Sequence, residues 1–388
     1  MTTRLTPRQI LDTLVAFPTV SRDPNRPLIE WVSDYLASHG IASQMSLKSD
    51  DPGKAGLWAH VGPWEDGGIV LSGHTDVVPV DGQDWSTDPF TIVEKDGKLF
   101  GRGSTDMKGF DALAIWAMVE ARYADLARPL QLALTYDEEI GCSGAAEVIA
   151  ALSPTMPKAR DVIVGEPTQM KAVTGHKGGV TWWVHVHGFE IHSSMMHRGV
   201  SAIMYAAKLI DWANDLNDRL MAAEPGPIAA LFDPSFTTAH VGQIRGGTAH
   251  NITAKDCEFQ FGFRVVPGED VDRWRRVFLD EVAKIEAEMQ AVRPETWIEC
   301  IESFHLPPFL PEPGGTAEAL VRGLTGDNSE NMVSYGTEAS HFQAAGYSAV
   351  VCGPGNIAMA HQPDEYITVE QFQAGKAFME RLLDNIRV

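Results

Sequence analysis

The sequence predicts an α/β protein: a mostly parallel central sheet flanked by helices, formed by residues 1–176 and 298–388, with an α+β domain of residues 177–297 inserted into it. Three observations predict this. Four short apolar runs, "GGIVLSGHTD", "LQLALTYDEE", "DVIVGEPT" and "SAVVCGPG", are separated by stretches of helical periodicity, the alternation that builds a parallel sheet. The stretch from about 177 to 297 changes character, to half-exposed alternation and long amphipathic helices. And 388 residues exceed what one core fills, since cores stop growing near ~250–300 residues.

In chain order, "LTPRQILDTLVAF" opens a helix with Thr6 as N-cap and Pro7 at the first helical position, repeating Ile10, Leu11, Leu14 and Phe17 on one face. "NRPLIEWVSDYLASHG" predicts a second helix that buries Leu28, Trp31, Val32, Tyr35 and Leu36 and stops at Gly40. Helices follow over 106–126 and 143–153, between the apolar runs. In the inserted region "GGVTWWVHVHG", "FTTAHVGQIRGG" and "AKDCEFQFGFRVV" read as strands. "GVSAIMYAAKLIDWANDLNDRLM" and "DVDRWRRVFLDEVAKIEAEMQ" read as long helices. The chain returns to strand–helix alternation from about 298 and closes on the helix "TVEQFQAGKAFMERLLDNI".

Bulk properties exclude several classes. Lys and Arg number 31 against 52 Asp and Glu, a net charge of −21, which argues against nucleic acid or an anionic membrane as partner. No apolar run reaches ~18 residues, and the start "MTTRLTPRQILDTLVAF" lacks the basic-then-apolar order of a signal peptide. Cys142, Cys257, Cys300 and Cys352 form no CxxC pair, so neither a disulfide framework nor a thiolate zinc site is expected; the pattern fits a reducing, cytoplasmic setting.

All four apolar runs end in, or lead towards, polar residues, and ligands of α/β sheets sit beyond the carboxyl ends of the strands. The residues so collected are His74, Asp76, Asp106, Glu138, Glu139, Glu166 and, far downstream, His361. Two imidazoles and several carboxylates without thiolates suit Zn, Co or Mn. Asp106 sits in "GRGSTDMKG", where glycines permit a tight turn, and a carboxylate can bridge two metals ~3.5–4 Å apart. The adjacent Glu138 and Glu139 would repel one another as anions unless both face water or a cation lies between them. Spacing alone lets either be the ligand and the other a base.

"SGHTDVVPVD", "GRGSTDMKG", "TYDEEIGCSGA", "VGEPT" and "AHQPDEYI", in this order, resemble the M20 family of two-metal amidohydrolases over nearly the whole chain. "HTDVVPVDGQDW", "HKGG", "YGTEASHF" and "VVCGPGNIAMAHQPDEYI" are most similar to its acetylornithine deacetylase branch, which belongs to arginine biosynthesis; succinyl-diaminopimelate desuccinylase is the next branch. The resemblance implies that His74, Asp106 and Glu166 hold one metal and that Asp106, Glu139 and His361 hold the other. It implies that Asp76 fixes the His74 ring and that Glu138 is the general base. "GFEIHSS" resembles the segment that brings a histidine, here His192, to the substrate carbonyl, often across a dimer interface. Asn251, Arg264, Thr337 and Glu338 match substrate-binding positions. Two divalent ions (Zn2+, with Co2+ or Mn2+ as alternatives), a small N-acyl amino acid as substrate, and a homodimer through an inserted lid or dimerisation domain are what the family leads one to expect.

Two departures bear on the substrate. Ile191 replaces a usual glycine, and "HSSMMHRG" brings Met195, Met196 and His197 into a turn that normally carries Asp-Pro. Methionines adapt to apolar ligands, so the acyl or amine side can differ from acetylornithine. Another N-acyl amino acid, a succinylated diamino acid, a dipeptide, and an inactive metal- or ligand-binding relative stand as alternatives. His185, His187, His240 and His250 carry no family match and read as structural or exposed.

Overall fold

The computed structural model describes residues 3–388. It divides into two compact units: the segments ending at Thr174, Pro311–Asn331 and Thr337–Val388 make the first; Gly175–Leu310 with Met332–Gly336 make the second.

In the first unit, α1 (Pro7–Val15) starts at the expected cap. Thr6 Oγ1 accepts from the Gln9 N–H while the Gln9 side chain accepts from the Thr6 N–H, so two otherwise orphaned donors are satisfied. α2 (Arg26–Ser38) buries Leu28, Ile29, Val32, Tyr35 and Leu36 and ends before Gly40, whose φ of 73° a side chain would resist. The other helices of this unit are α3 (Lys108–Arg122), α4 (Ser143–Leu152), α7 (Thr316–Thr325), α8 (Ala339–Ala344) and α9 (Val369–Ile386).

The main sheet has eight strands, all within the first unit except the ends of two, residues 175–176 and 332–333: β1 (Ser43–Leu47), β2 (Ala55–Val61), β3 (Ile69–His74), β6 (Leu130–Thr135), β7 (Asp161–Pro167), β8 (Val173–His176), β13 (Asn331–Val333) and β14 (Ser348–Gly353), in the order β1-β2-β6-β3-β7-β14-β8-β13. The four inner strands β6, β3, β7 and β14 are mutually parallel, and the pairs β1/β2, β2/β6 and β14/β8 are antiparallel. Those four parallel strands are the four apolar runs of the sequence. Each is buried along nearly its whole length, as a strand covered on both faces must be. A small antiparallel sheet, β15 (Tyr366–Thr368), β5 (Lys98–Phe100) and β4 (Val93–Lys95), was not visible in the sequence because its strands are three residues long.

The second unit holds an antiparallel sheet, β10 (Thr238–Gly246), β11 (Asp256–Val265), β9 (Gly178–His187) and β12 (Trp297–Leu306), in that order, with α5 (Ala202–Ala222) and α6 (Val271–Val292). Val180, Trp182, Val184 and Val186 of β9 point into its core with Phe259, Phe261 and Phe263 of β11 and Trp274, Phe278 and Met289 of α6. Phe278 stacks on Phe261 at 4.4 Å and on Trp182 at 4.5 Å between ring centroids. Each such side chain contributes roughly 1.5–3 kcal/mol by leaving water. The sequence-based boundary at residue 298 differs from the structure. β12 begins at Trp297 and pairs along β9, so this unit continues to Leu310; pairing with a strand more than a hundred residues earlier leaves no local signal.

Among the described residues, no helix is long and apolar enough to cross a membrane.

Candidate metal centre

β3, β6, β7 and β14 all run the same way, so their carboxyl ends deliver side chains to one edge of the sheet. His74 is the last residue of β3, Glu138 and Glu139 follow β6, and Glu166 stands near the end of β7. Asp106 precedes α3 in a turn where Gly103 has φ 82° and a Cβ on Gly109 would lie 2.4 Å from the Ser104 carbonyl oxygen. His361 follows β14 with φ 64°, and Asp137 and Cys142, either side of the glutamates, also have positive φ. Left-handed non-glycine residues cost energy and gather where a site demands a particular aim.

Asp106 is the hub. Its Oδ1 lies 3.1 Å from His74 Nε2 and its Oδ2 lies 3.2 Å from His361 Nε2. His74 Nε2 is also 3.8 Å from Glu166 Oε1, and His361 Nε2 is 3.0 Å from Glu139 Oε2. One carboxylate thus faces two imidazoles, each with a further carboxylate beside it. Ligand atoms of His74, Glu138 and Glu166, and those of His74, Asp106 and Glu139, lie within 4.8 Å of one another. Every expected metal residue is brought together.

Hydrogen bonding shows what the cluster needs. His74 Nδ1 lies 2.9 Å from the backbone oxygen of Asp76, an acceptor only, so Nδ1 carries the proton. In a neutral ring, Nε2 then offers a lone pair to the oxygens of Asp106 and Glu166, which repel it unless a cation or proton intervenes. Glu139 Oε1 and Glu166 Oε1 are buried without a hydrogen-bond partner. Imidazole and carboxylate donors of this kind fit divalent Zn, Co or Mn.

The protonation balance agrees. Burial pulls the His74 imidazole down, but its bond to Asp106 and the charges of Glu138 and Glu166 hold it well above its ordinary value. The hydrogen bonds to Asp106 and Glu139 raise His361 to about 10. Burial pushes Asp106 up, yet His361 and His74 outweigh it and keep this carboxyl below the usual range. Burial lifts Glu138 to about 8 against the attraction of His74, with the Glu139 charge adding to the rise. Burial and the Asp106 charge lift Glu139 to about 7, and burial with Asp106 raises Glu166 strongly. Burial and the crowding of like charge thus favour the protonated forms of Glu138, Glu139 and Glu166.

Asp76 departs from expectation. Its carboxylate does not hold the His74 ring; its backbone carbonyl does, with Oδ1 3.6 Å from Nδ1. The side chain is occupied by the Glu138 and Glu139 N–H groups at 3.1 and 3.3 Å and by the Ser21 hydroxyl at 2.7 Å. Asp76 therefore sets the turn that carries both glutamates. Thr337 and Glu338 lie in the interior of the first unit. Both are fully buried, and Glu338 accepts from Ser72 and Thr135 hydroxyls at 2.6 Å each, so this carboxylate ties β3 to β6. Asp137, just before the two glutamates, is structural: it is buried and paired with Lys48 at 2.9 Å and with Lys54.

Two supports escaped sequence reasoning. The Cys142 thiol donates to Glu138 Oε1 at 3.0 Å. Glu365, buried against Arg102 at 2.6 Å, accepts from the Thr105 and Asp106 N–H groups at 3.0 and 3.1 Å. Glu365 lies inside "AHQPDEYI", so the motif was visible while the side chain's use was not. The His361 loop is further pinned by Gln83, whose Nε2 donates to the His361 carbonyl at 3.0 Å, and by the Ser86 N–H, which donates to Asp364 at 2.8 Å.

His192, Asn251 and Arg264 belong to the second unit. His192 is exposed and its Nδ1 lies 2.8 Å from Ser194 Oγ. Asn251, also exposed, stands beside it: the Ser193 N–H donates to the Asn251 carbonyl at 2.8 Å. Arg264 on β11 is exposed, 5.8 Å from the Phe304 ring.

A parallel sheet whose strand ends gather imidazoles and carboxylates defines a metallohydrolase architecture. The model of Peptidase family M20/M25/M40 matches residues 70–385, and the chain belongs to that family. It is thereby a metal-dependent hydrolase of amide bonds acting on small molecules. An acetylornithine deacetylase of Myxococcus xanthus is 34% identical over 385 residues, covering 96% of each chain. One of Proteus mirabilis is 32% identical over 380 residues, covering 96% of this chain and 94% of its own. Among solved structures, an M20 family metallo-carboxypeptidase of Sulfolobus solfataricus shares the fold at a TM-score of 0.78 with 16% identity, covering 98% of both chains.

Proposed function

We propose that this protein cleaves the amide of an N-acyl amino acid, with N-acetylornithine as the first substrate, giving ornithine and acetate. The observation that carries the reading is Asp106 between His74 and His361, with Glu138 beside them and with Glu139 Oε1 and Glu166 Oε1 buried without a hydrogen-bond partner. The deacetylases that are 32–34% identical over nearly the whole chain support the choice of substrate.

We assign His74, Asp106 and Glu166 to one divalent ion and Asp106, Glu139 and His361 to another, zinc first, with cobalt or manganese as alternatives. When bound, such a pair lowers the pKa of water and polarises an amide carbonyl. Glu138 takes the proton from the attacking water and passes it to the leaving amine, so it must start ionised; cationic charge beside it would lower its raised pKa. Asp76 and Cys142 hold it in place. His192 donates to the carbonyl oxygen as negative charge develops there, and Asn251 and Arg264 bind the substrate's polar end. A homodimer through the second unit is part of this reading.

The test is a panel of acetylated, succinylated and longer-chain N-acyl amino acids and dipeptides, compared by kcat/KM on zinc- and cobalt-loaded protein. N-acetylornithine is expected to lead; a clear preference for an apolar or longer acyl group defeats the assignment. Glu138→Ala is expected to abolish turnover with metal still bound, and retained turnover removes the role given to Glu138.

A further inference from the structure

The second unit carries a histidine cluster that the hydrolytic chemistry does not use. Along β9 the residues alternate: Val184 and Val186 enter the core, so His185 and His187 share the opposite face. Register places Glu299 of β12 across from His185 and Trp297 across from His187; on the other side, Asp256 of β11 lies across from His187. The two imidazoles lie with centroids 3.8 Å apart, tilted by 35°, and Trp297 stacks on the His187 ring at 4.0 Å, so His187 is held between two rings and its aim is set. His185 Nε2 and His187 Nδ1 both stand 3.3 Å from one oxygen of Asp256.

Buried polar atoms are mostly hydrogen-bonded. Here the buried His187 Nε2 has no hydrogen-bond partner. Glu258, the remaining acid in register with His185, is taken by Arg245 with Nε at 3.0 Å, which leaves Glu299 and Asp256 as the available carboxylates.

We propose that His185, His187 and Glu299 form a transition-metal site on the helix-free face of this sheet, separate from the cluster around Asp106, with Asp256 as an additional carboxylate partner. Their ligand atoms lie within 4.8 Å of one another. Two imidazoles and a carboxylate select Zn2+, Ni2+ or Cu2+ over Mg2+ or Ca2+. Because the ligands come from adjacent strands, a bound ion fastens β9 to β12 and, through Asp256, to β11.

Cu2+ is the probe, added to protein already loaded with zinc and freed of excess. The native protein is expected to take up one further Cu2+ with nitrogen hyperfine structure in its electron paramagnetic resonance spectrum. His185→Gln/His187→Gln is expected to lose that equivalent, and Glu299→Gln to weaken it at least about tenfold. In case the double variant folds poorly, the unaltered protein is followed by histidine ring-proton NMR, where sub-stoichiometric Cu2+ should broaden His185 and His187 first. Equal copper uptake by native and double variant, no further uptake by the native protein, or first broadening at other histidines overturns the proposal.

Discussion

The thiol of Cys142 stands 3.0 Å from Oε1 of Glu138, four residues apart across a turn where Cys142 has φ 55°. A neutral donor on the carboxylate fixes which oxygen remains open. Cys142→Ser should keep that bond and near-native kcat. Cys142→Ala should lower kcat about fivefold with KM unchanged, the effect of one hydrogen bond worth about 1 kcal/mol. Steady-state kinetics of both variants check this; an equal loss in both would mean the thiol only fills space.

Metal-stripped protein should lose stability as pH rises from about 5 to 8. Folding lifts Glu139 to about 7 and Glu138 to about 8 from an ordinary 4.5, so the folded state holds protons that the unfolded state releases. Groups raised on folding contribute stability that is full below the unfolded pKa and lost as pH climbs through the folded one. His361, raised to about 10, has the same sign at higher pH, while Asp106 acts oppositely and only in acid, where its depressed carboxyl titrates. Urea midpoints at pH 5.5 and 8, with and without zinc, measure this. Zinc should flatten the dependence by standing in for the protons.

Glu365→Gln should weaken metal binding although Glu365 touches no metal in the assignment above. It is buried with Arg102 and accepts from the Asp106 N–H. Loss of such support costs about 10–100-fold in affinity. Chelator competition reads the affinity; an unchanged value would show that the Asp106 turn holds itself.

Asp137→Ala should destabilise the first unit by roughly 3–5 kcal/mol, because it strands Lys48 and Lys54 beside a buried site. A fall in the urea midpoint checks this. Lys54→Met combined with Asp137→Ala should recover part of the loss by removing the more deeply buried charge.

Much of this was legible beforehand for a physical reason. The four parallel strands are buried on both faces, so they had to be continuous apolar runs, and their carboxyl ends had to meet. Hence His74, Asp76, Asp106, Glu138, Glu139, Glu166 and His361 could be collected without coordinates, while the choice of five of them as metal ligands came from the family resemblance. The capping box at Thr6 and the stop at Gly40 are local chemistry and were equally readable. What stayed hidden depends on aim and distant pairing. Asp76 lies two residues from His74 whether its carboxylate or its carbonyl meets the ring, and only the turn decides. Glu338 reads as a polar loop acid, yet Ser72 and Thr135 close over it. β12 joins β9 across more than a hundred residues, which moved the domain boundary.

The same separation sets an order of events on the ribosome. His74, Asp106, Glu139 and Glu166 emerge early, then the chain must produce Gly175–Leu310 before His361 and Glu365 appear. Until then Asp106 lacks one of its two imidazoles and its turn lacks the carboxylate that accepts from its N–H groups. On the assignment proposed above, a nascent chain halted before residue 361 would lack a metal ligand, so hydrolysis would begin only after the second unit had been made.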